Sequence, residues 1–174
     1  IQQADVKTVV LRNAAGVTKT FSLSNDYVIA GSVHVPSGTG SVEVVVGTAT
    51  PTQPRETPNY LVVDWQGASK FRNRTLPRVA DRVKAGNPHE EIHAGWVAVK
   101  GQYFVMVLSP TTNVTGVSYA TVNLSPGPPP VNGVMAAAAV PVTRNADGSG
   151  SCTFTFYAGP KEYDRLVALG AHQE

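Results

Sequence analysis

Five consecutive residues, His89-Glu90-Glu91-Ile92-His93, carry the spacing of a zinc hydrolase motif. On a helix the two histidines fall one turn apart and bind the metal, while the first glutamate activates water. The flanks oppose that chemistry. Asn87-Pro88 stands immediately before the motif, and Ala94-Gly95-Trp96 opens a strand directly after it, so no long helix fits. No H-x-x-G-x-x-H continuation supplies a third ligand. In an extended segment the histidines share a face but have no fixed metal geometry. The expected element is a polar loop leading into a strand, with no catalytic residue, cofactor or metal.

Other chemistry is equally weakly supported. No G-x-S-x-G elbow frames any serine, and Gly38-Thr39-Gly40 lacks the lysine of a phosphate-cradling loop. His34 is expected to face solvent, and His172 lies in the chain terminus. Cys152 is the only cysteine, so no internal disulfide forms. Alternation sets it on one face with Phe154 and Phe156, the place of a buried core thiol rather than a nucleophile. The expectation is a protein that is not an enzyme.

Charge is more telling. The net charge is +2, yet six of the fourteen basic residues (Lys70, Arg72, Arg74, Arg78, Arg82, Lys84) fall between positions 70 and 84 beside one acid, Asp81. The rest of the chain is mildly acidic. A solvated loop is the ordinary reading of such a run. Contact with anionic lipid headgroups or with a partner is the functional one, since each basic residue near such a surface contributes about 1 kcal/mol. Nucleic acid is not an expected partner, because Phe71 is the only aromatic interleaved with the charges. Trp65 and Trp96 are expected in the core or covering the sheet.

The elements that hold these residues read as mainly β. Valine and threonine outnumber leucine, and sixteen glycines with thirteen prolines supply turns. A single domain over residues 1–174, or most of one, is expected, large enough to bury roughly 70% of its unfolded surface. Asp5–Arg12 and Val17–Leu23 read as paired strands. Tyr27–Val35 follows, with Gly31 marking a bulge or a close approach, and then Val42, Val44 and Val46 line one side of a fourth strand. Thr48–Asn59 reads as a proline-rich loop and Leu61–Trp65 as a short strand. Between 70 and 86, Leu76, Val79 and Val83 have helical spacing limited by Pro77 and Gly86 to about two turns.

Next comes a hairpin, Ala94–Val99 and Gln102–Ser109, whose second strand is apolar on both faces and therefore central. Val117–Leu124 is a strand, Ser125–Pro130 a stiff link, and Val134–Val142 a strand despite four alanines. Cys152–Tyr157 leads into a helix over 159–170, with Gly159 and Pro160 at its start, Glu162 and Asp164 in its first turn, and Gly170 as its stop. Tyr163, Leu166 and Val167 form its apolar face. Such a short helix must pack on something. No run of about eighteen apolar residues occurs, and Ile1-Gln2-Gln3-Ala4-Asp5 has no leader character. The chain is expected to be a segment of a longer protein.

Two stretches, Gly95-Trp96-Val97-Ala98 through Gln102-Tyr103-Phe104 to Leu108-Ser109-Pro110, and Phe154 through Gly159-Pro160-Lys161-Glu162-Tyr163-Asp164-Arg165-Leu166 to Leu169, resemble the end of the periplasmic domain of bacterial YidC membrane protein insertases. The segment Gly16-Val17-Thr18-Lys19-Thr20-Phe21 to Ile29 resembles an earlier strand pair of that family. The resemblance implies an antiparallel β-sandwich, a β-supersandwich like that of galactose mutarotase, usually longer on its N-terminal side, so that relative to the family this chain is expected to have strands missing there. It implies a location on the periplasmic side of the inner membrane and a non-catalytic docking role in inserting and folding inner-membrane proteins. The partners it implies are the protein's own transmembrane insertase domain, the Sec translocon and nascent inner-membrane proteins. The interface residues it points to are Gly159, Pro160, Tyr163, Asp164 and Leu166, at a joint leading toward the membrane. Two rival readings are a carbohydrate-binding or mutarotase-like module and a stand-alone periplasmic adhesion or scaffold domain.

Overall fold

The computed structural model describes residues 3–4, 7–24, 26–37, 40–51, 60–67, 70–125 and 131–169. Alternating apolar residues set the strands, as expected from their period of two. In chain order they are β1 (Gln3–Ala4), β2 (Thr8–Arg12), β3 (Thr18–Leu23), β4 (Val28–Val35), β5 (Ser41–Ala49), β6 (Val62–Gly67) and β7 (Phe71–Thr75). Helix α1 (Leu76–Lys84) follows. Then come β8 (His89–Lys100), β9 (Phe104–Pro110), β10 (Val114–Ser125), β11 (Val131–Pro141), β12 (Thr143–Arg144), β13 (Gly150–Pro160) and helix α2 (Tyr163–Ala168).

All pairings are antiparallel, in the order β1-β2-β3-β4-β13-β9-β8-β10-β11-β5, with β6 and β7 added along β8 and β12 beside β13. Strand β8 turns this continuous ladder into a sandwich. Its first half pairs with β10, from His89↔Ser118 to Ala94↔Val114. Its second half pairs with β9, from Val97↔Leu108 to Lys100↔Val105. The pairings of β8 with β10 and with β6 each shift by one residue on either side of Ala94, the extra residue lying in β8 both times, the usual way for a strand to bend between layers.

Between the layers lies the main core. Val33, Val97, Leu108, Cys152 and Phe154 from one layer meet Val46, Val117, Ala136, Ala138 and Val140 from the other. Gly31 is a point of close approach: a Cβ there would overlap the Phe154 ring. Helix α1 closes one side by burying Leu76 and Val79. A second, smaller cluster covers the outer face of the β8–β9–β13 layer, where Trp96, Ala98, Val105, Val107 and Tyr157 receive Leu166 of α2.

The architecture is thus the mainly β, antiparallel sandwich with a short C-terminal helix that the sequence implies. Several boundaries differ. Residues 89–93 are strand rather than loop, because their backbone pairs with β10. β5 runs on to Ala49, and β7 is a strand of mainly polar residues, held by β6. Helix α2 spans Tyr163–Ala168, not 159–170. Gly159 and Pro160 end β13, paired with Val105 and Phe104. Pairing overrides the helix-start signal there. The Lys161 N–H turns toward β9 and the Tyr103 carbonyl, whereas the Ala158 N–H faces the Tyr27 carbonyl beside β4. Strand parity therefore aims the Pro160 nitrogen past the last β4 pair, Tyr157↔Val28, where no ladder bond is broken. Residues 52–59 of the expected proline-rich loop, Gly38 and Thr39, the link at 126–130, Gly170 and His172 lie outside the described residues.

Candidate functional site

The zinc-like motif is dismantled by its own backbone. On a strand, four residues separate the histidine Cα atoms by about 13 Å. His89 Nδ1 lies 3.3 Å from Ser118 Oγ, and His93 Nε2 lies 2.7 Å from Asn113 Nδ2. Glu90, between them, points toward α1. It takes two hydrogen bonds from Arg74 (Nη2 to Oε1 2.5 Å, Nε to Oε2 3.2 Å) and one from the Tyr119 hydroxyl at 3.2 Å. Arg82 Nε stands 3.8 Å away. Among the described residues no group of histidine, cysteine, aspartate or glutamate side chains is arranged to hold a metal.

This carboxylate divides the basic segment. Arg74 also covers the Trp65 ring, 5.3 Å from its centroid. Arg82 donates to the His89 carbonyl at 2.9 Å and lies 6.0 Å from the Tyr119 ring centroid. These two guanidiniums fasten β7 and α1 to β8 and β10. Burial, then the neighbouring Glu90 charge, raises the Tyr119 hydroxyl pKa well above its ordinary value. Lys70, Arg72, Arg78 and Lys84 are exposed. The six basic residues are therefore split between β7 with its lead-in and α1, with two of them turned inward.

A second polar group lies beside the joint. Asp64, 2% exposed, is paired with Lys100 across β6 and β8, while its Oδ1 has no hydrogen-bond partner in the structure. Burial raises the Asp64 carboxyl pKa, opposed by the charge of Lys100 and more weakly by Lys161. Lys161, the first residue after β13, donates to the carbonyls of Gly101 and Gln102, each at 3.3 Å. Burial lowers the pKa of its amine.

Of the apolar face expected on α2, only Leu166 is buried. Tyr163 is 69% exposed and Val167 46%. Arg165 holds the helix from the side. It pairs with Glu162 and with Asp26 (Nη1 to Oδ1 2.6 Å), and its guanidinium lies 5.3 Å from the Tyr27 ring centroid. Asp26 and Tyr27 both adopt left-handed backbone, at φ 61° and 64°, a conformation uncommon outside glycine. Thus the chain leaves β13 through a helix with one buried anchor and one ion-paired brace. The sequence signalled the helix, but nothing local in it revealed the Asp26–Arg165 brace, whose members are 139 positions apart.

A cleft of about 620 Å³ opens between β5 and the β3–β4–β13 layer. Phe21, Ile29, Val44, Phe154 and Phe156 make it chiefly apolar, with Lys19 and Glu43 among its few charges. Mutarotase chemistry requires a histidine acid and a carboxylate base facing one cleft. Among the described lining residues Glu43 has no histidine opposite it. Cys152 lies buried nearby with its thiol pKa raised by burial, the wrong direction for a nucleophile.

A family model described as the YidC periplasmic domain matches residues 2–173. No curated protein matches the chain.

Proposed function

Because the chain belongs to the YidC periplasmic domain family, and so is associated with membrane protein insertion, we propose that it is the accessory, non-catalytic docking module of an inner-membrane insertase. It works beside the protein's own transmembrane domain, with or without the Sec translocon, on nascent inner-membrane proteins. Its contribution is a rigid joint. β13 is paired on both sides, by β4 and β9, and leads directly into α2. The joint comprises Gly159 and Pro160 at the strand end, Leu166 as the anchor, and Tyr163 with Asp164 on the outward side. The observation that carries this reading is the half-used apolar face of α2. Leu166 is seated in the domain while Tyr163 and Val167 are turned away from it, as expected of a helix with a second neighbour. The exposed Lys70, Arg72, Arg78 and Lys84 form a separate contact surface for anionic lipid or partner protein, with Arg74 and Arg82 bracing it.

The test is integration of a substrate protein by the full-length insertase reconstituted in vesicles. Tyr163→Asp is expected to reduce integration several-fold with the melting curve of the periplasmic domain unchanged. Integration at the unsubstituted level removes the joint reading.

A further inference from the structure

Most of the large apolar side chains left exposed among the described residues gather at one end of the domain. Leu23 and Tyr27 flank the turn between β3 and β4, Tyr60 precedes β6, Tyr103 and Phe104 sit at the tip of the β8–β9 hairpin, and Tyr163 opens α2. Register places them together. The end of β3 meets the start of β4 at Leu23↔Ile29, and the start of β4 meets the end of β13 at Val28↔Tyr157. The end of β13 then meets the start of β9 at Pro160↔Phe104, and the end of β8 meets the start of β6 at Lys100↔Val62. All six side chains therefore lie along one end of a single layer, the end from which α2 departs. Each is between 48% and 69% exposed. Scattered single exposures are ordinary, but a contiguous set marks an interaction surface.

Several charges at this end are engaged within the domain. Lys100 is paired with Asp64, Arg165 with Asp26 and Glu162, and Lys161 is engaged by two carbonyls. Among the described residues no run of exposed cations marks this end for an anionic partner. Four of the six residues are tyrosines, amphipathic rings with a polar tip, the type enriched where protein meets the lipid headgroup layer. Their spread along a sheet end, rather than in a groove, suits a broad flat partner.

We propose that this aromatic end rests in the headgroup layer of the bilayer, holding the domain upright on the membrane by a contact that does not depend on net charge. The proposal rests on the joint reading for orientation. It assigns the contact to side chains on the β3–β4 turn, the β6 lead-in and the β8–β9 tip, in addition to α2.

The experiment uses the full-length protein in phosphatidylcholine vesicles that carry a headgroup spin label. An environment-sensitive fluorophore is attached through Phe104→Cys in one preparation and Ala146→Cys in another. Ala146 is exposed in the turn before β13, beyond the end of that strand that lies about 33 Å from Pro160 at ~3.3 Å per residue. Quenching several-fold stronger at 104 than at 146 is expected. It should persist in roughly 1 M salt, where the screening length falls to ~3 Å. Equal quenching at the two positions overturns the proposal. So does quenching at 104 that high salt abolishes, since the contact would then be electrostatic and belong to the exposed basic residues. If Tyr163→Asp impairs integration while position 104 is not quenched, the joint stands and the membrane contact is removed. Quenching at 104 with normal integration by Tyr163→Asp does the reverse, because position 104 reports on lipid whatever α2 touches.

Discussion

Asp64 shows how a single residue here is governed by competing terms. Burial disfavours its charge, Lys100 favours it, and burial dominates, so the folded carboxyl pKa lies above the ordinary value of about 3.8. An acid raised in this way is more readily protonated in the folded state than in the unfolded one. Its contribution to stability is full below pH 3.8 and is lost as pH rises through the elevated folded value. Asp64→Asn removes that dependence, and Lys100, 30% exposed, can still reach water. The expected outcome, read from urea midpoints between about pH 4 and pH 7, is a flatter pH profile for Asp64→Asn than for the unsubstituted chain. Parallel profiles would assign the raised pKa no role in stability. Glu90 follows the opposite logic. Arg74, donating to each oxygen, and the Tyr119 hydroxyl satisfy it, with Arg82 at ion-pair distance, which is why a glutamate inside a zinc-like motif serves as a fastener.

At the scale of elements, α2 is six residues long and cannot persist unaided. Its anchor is Leu166, 8% exposed against Trp96, Val105 and Tyr157. Leu166→Ala is expected to destabilise the domain by about 2 kcal/mol, at the low end for such truncations because the cluster is small. Amide exchange should accelerate across Tyr163–Ala168 far more than across Phe154–Tyr157, which remains paired on both sides. Uniform acceleration would make Leu166 part of the main core. Strand alternation made most elements legible in the sequence: Cys152 and Phe154 fall on the expected face, and of the two roles read for Gly31 the close approach is the one observed. Val131–Pro141 is a strand despite its alanines, because Ala136 and Ala138 pack with no exposed surface between the layers. Illegible were the features decided by distant partners. Phe71–Thr75 has no apolar alternation and is a strand only through β6, and Gly159-Pro160 was taken from the helix by β9. The basic run looked continuous in sequence, but Glu90 divides it.

For the whole molecule, the two layers leave distinct surfaces. An apolar cleft lies at the free edge formed by β5, and an aromatic end lies where β13 gives way to α2. Membership of the family, visible in Gly95–Pro110 and Phe154–Leu169, is matched over residues 2–173. Neither surface was legible, since exposure depends on which side chains find partners: Tyr163, Leu166 and Val167 read as one packed face, and only Leu166 is packed. Among the described residues no helix is long and apolar enough to cross a membrane. The proposed joint sets α2 against a membrane-spanning neighbour. The direct measurement is photo-crosslinking from position 163 in the full-length insertase, with a benzophenone side chain replacing Tyr163 and the same group at Ala146 as reference. The account predicts an adduct between the periplasmic domain and the protein's own membrane-spanning part from position 163 and none from 146. An absence of that adduct at 163, with the domain folded and integration intact, would contradict it.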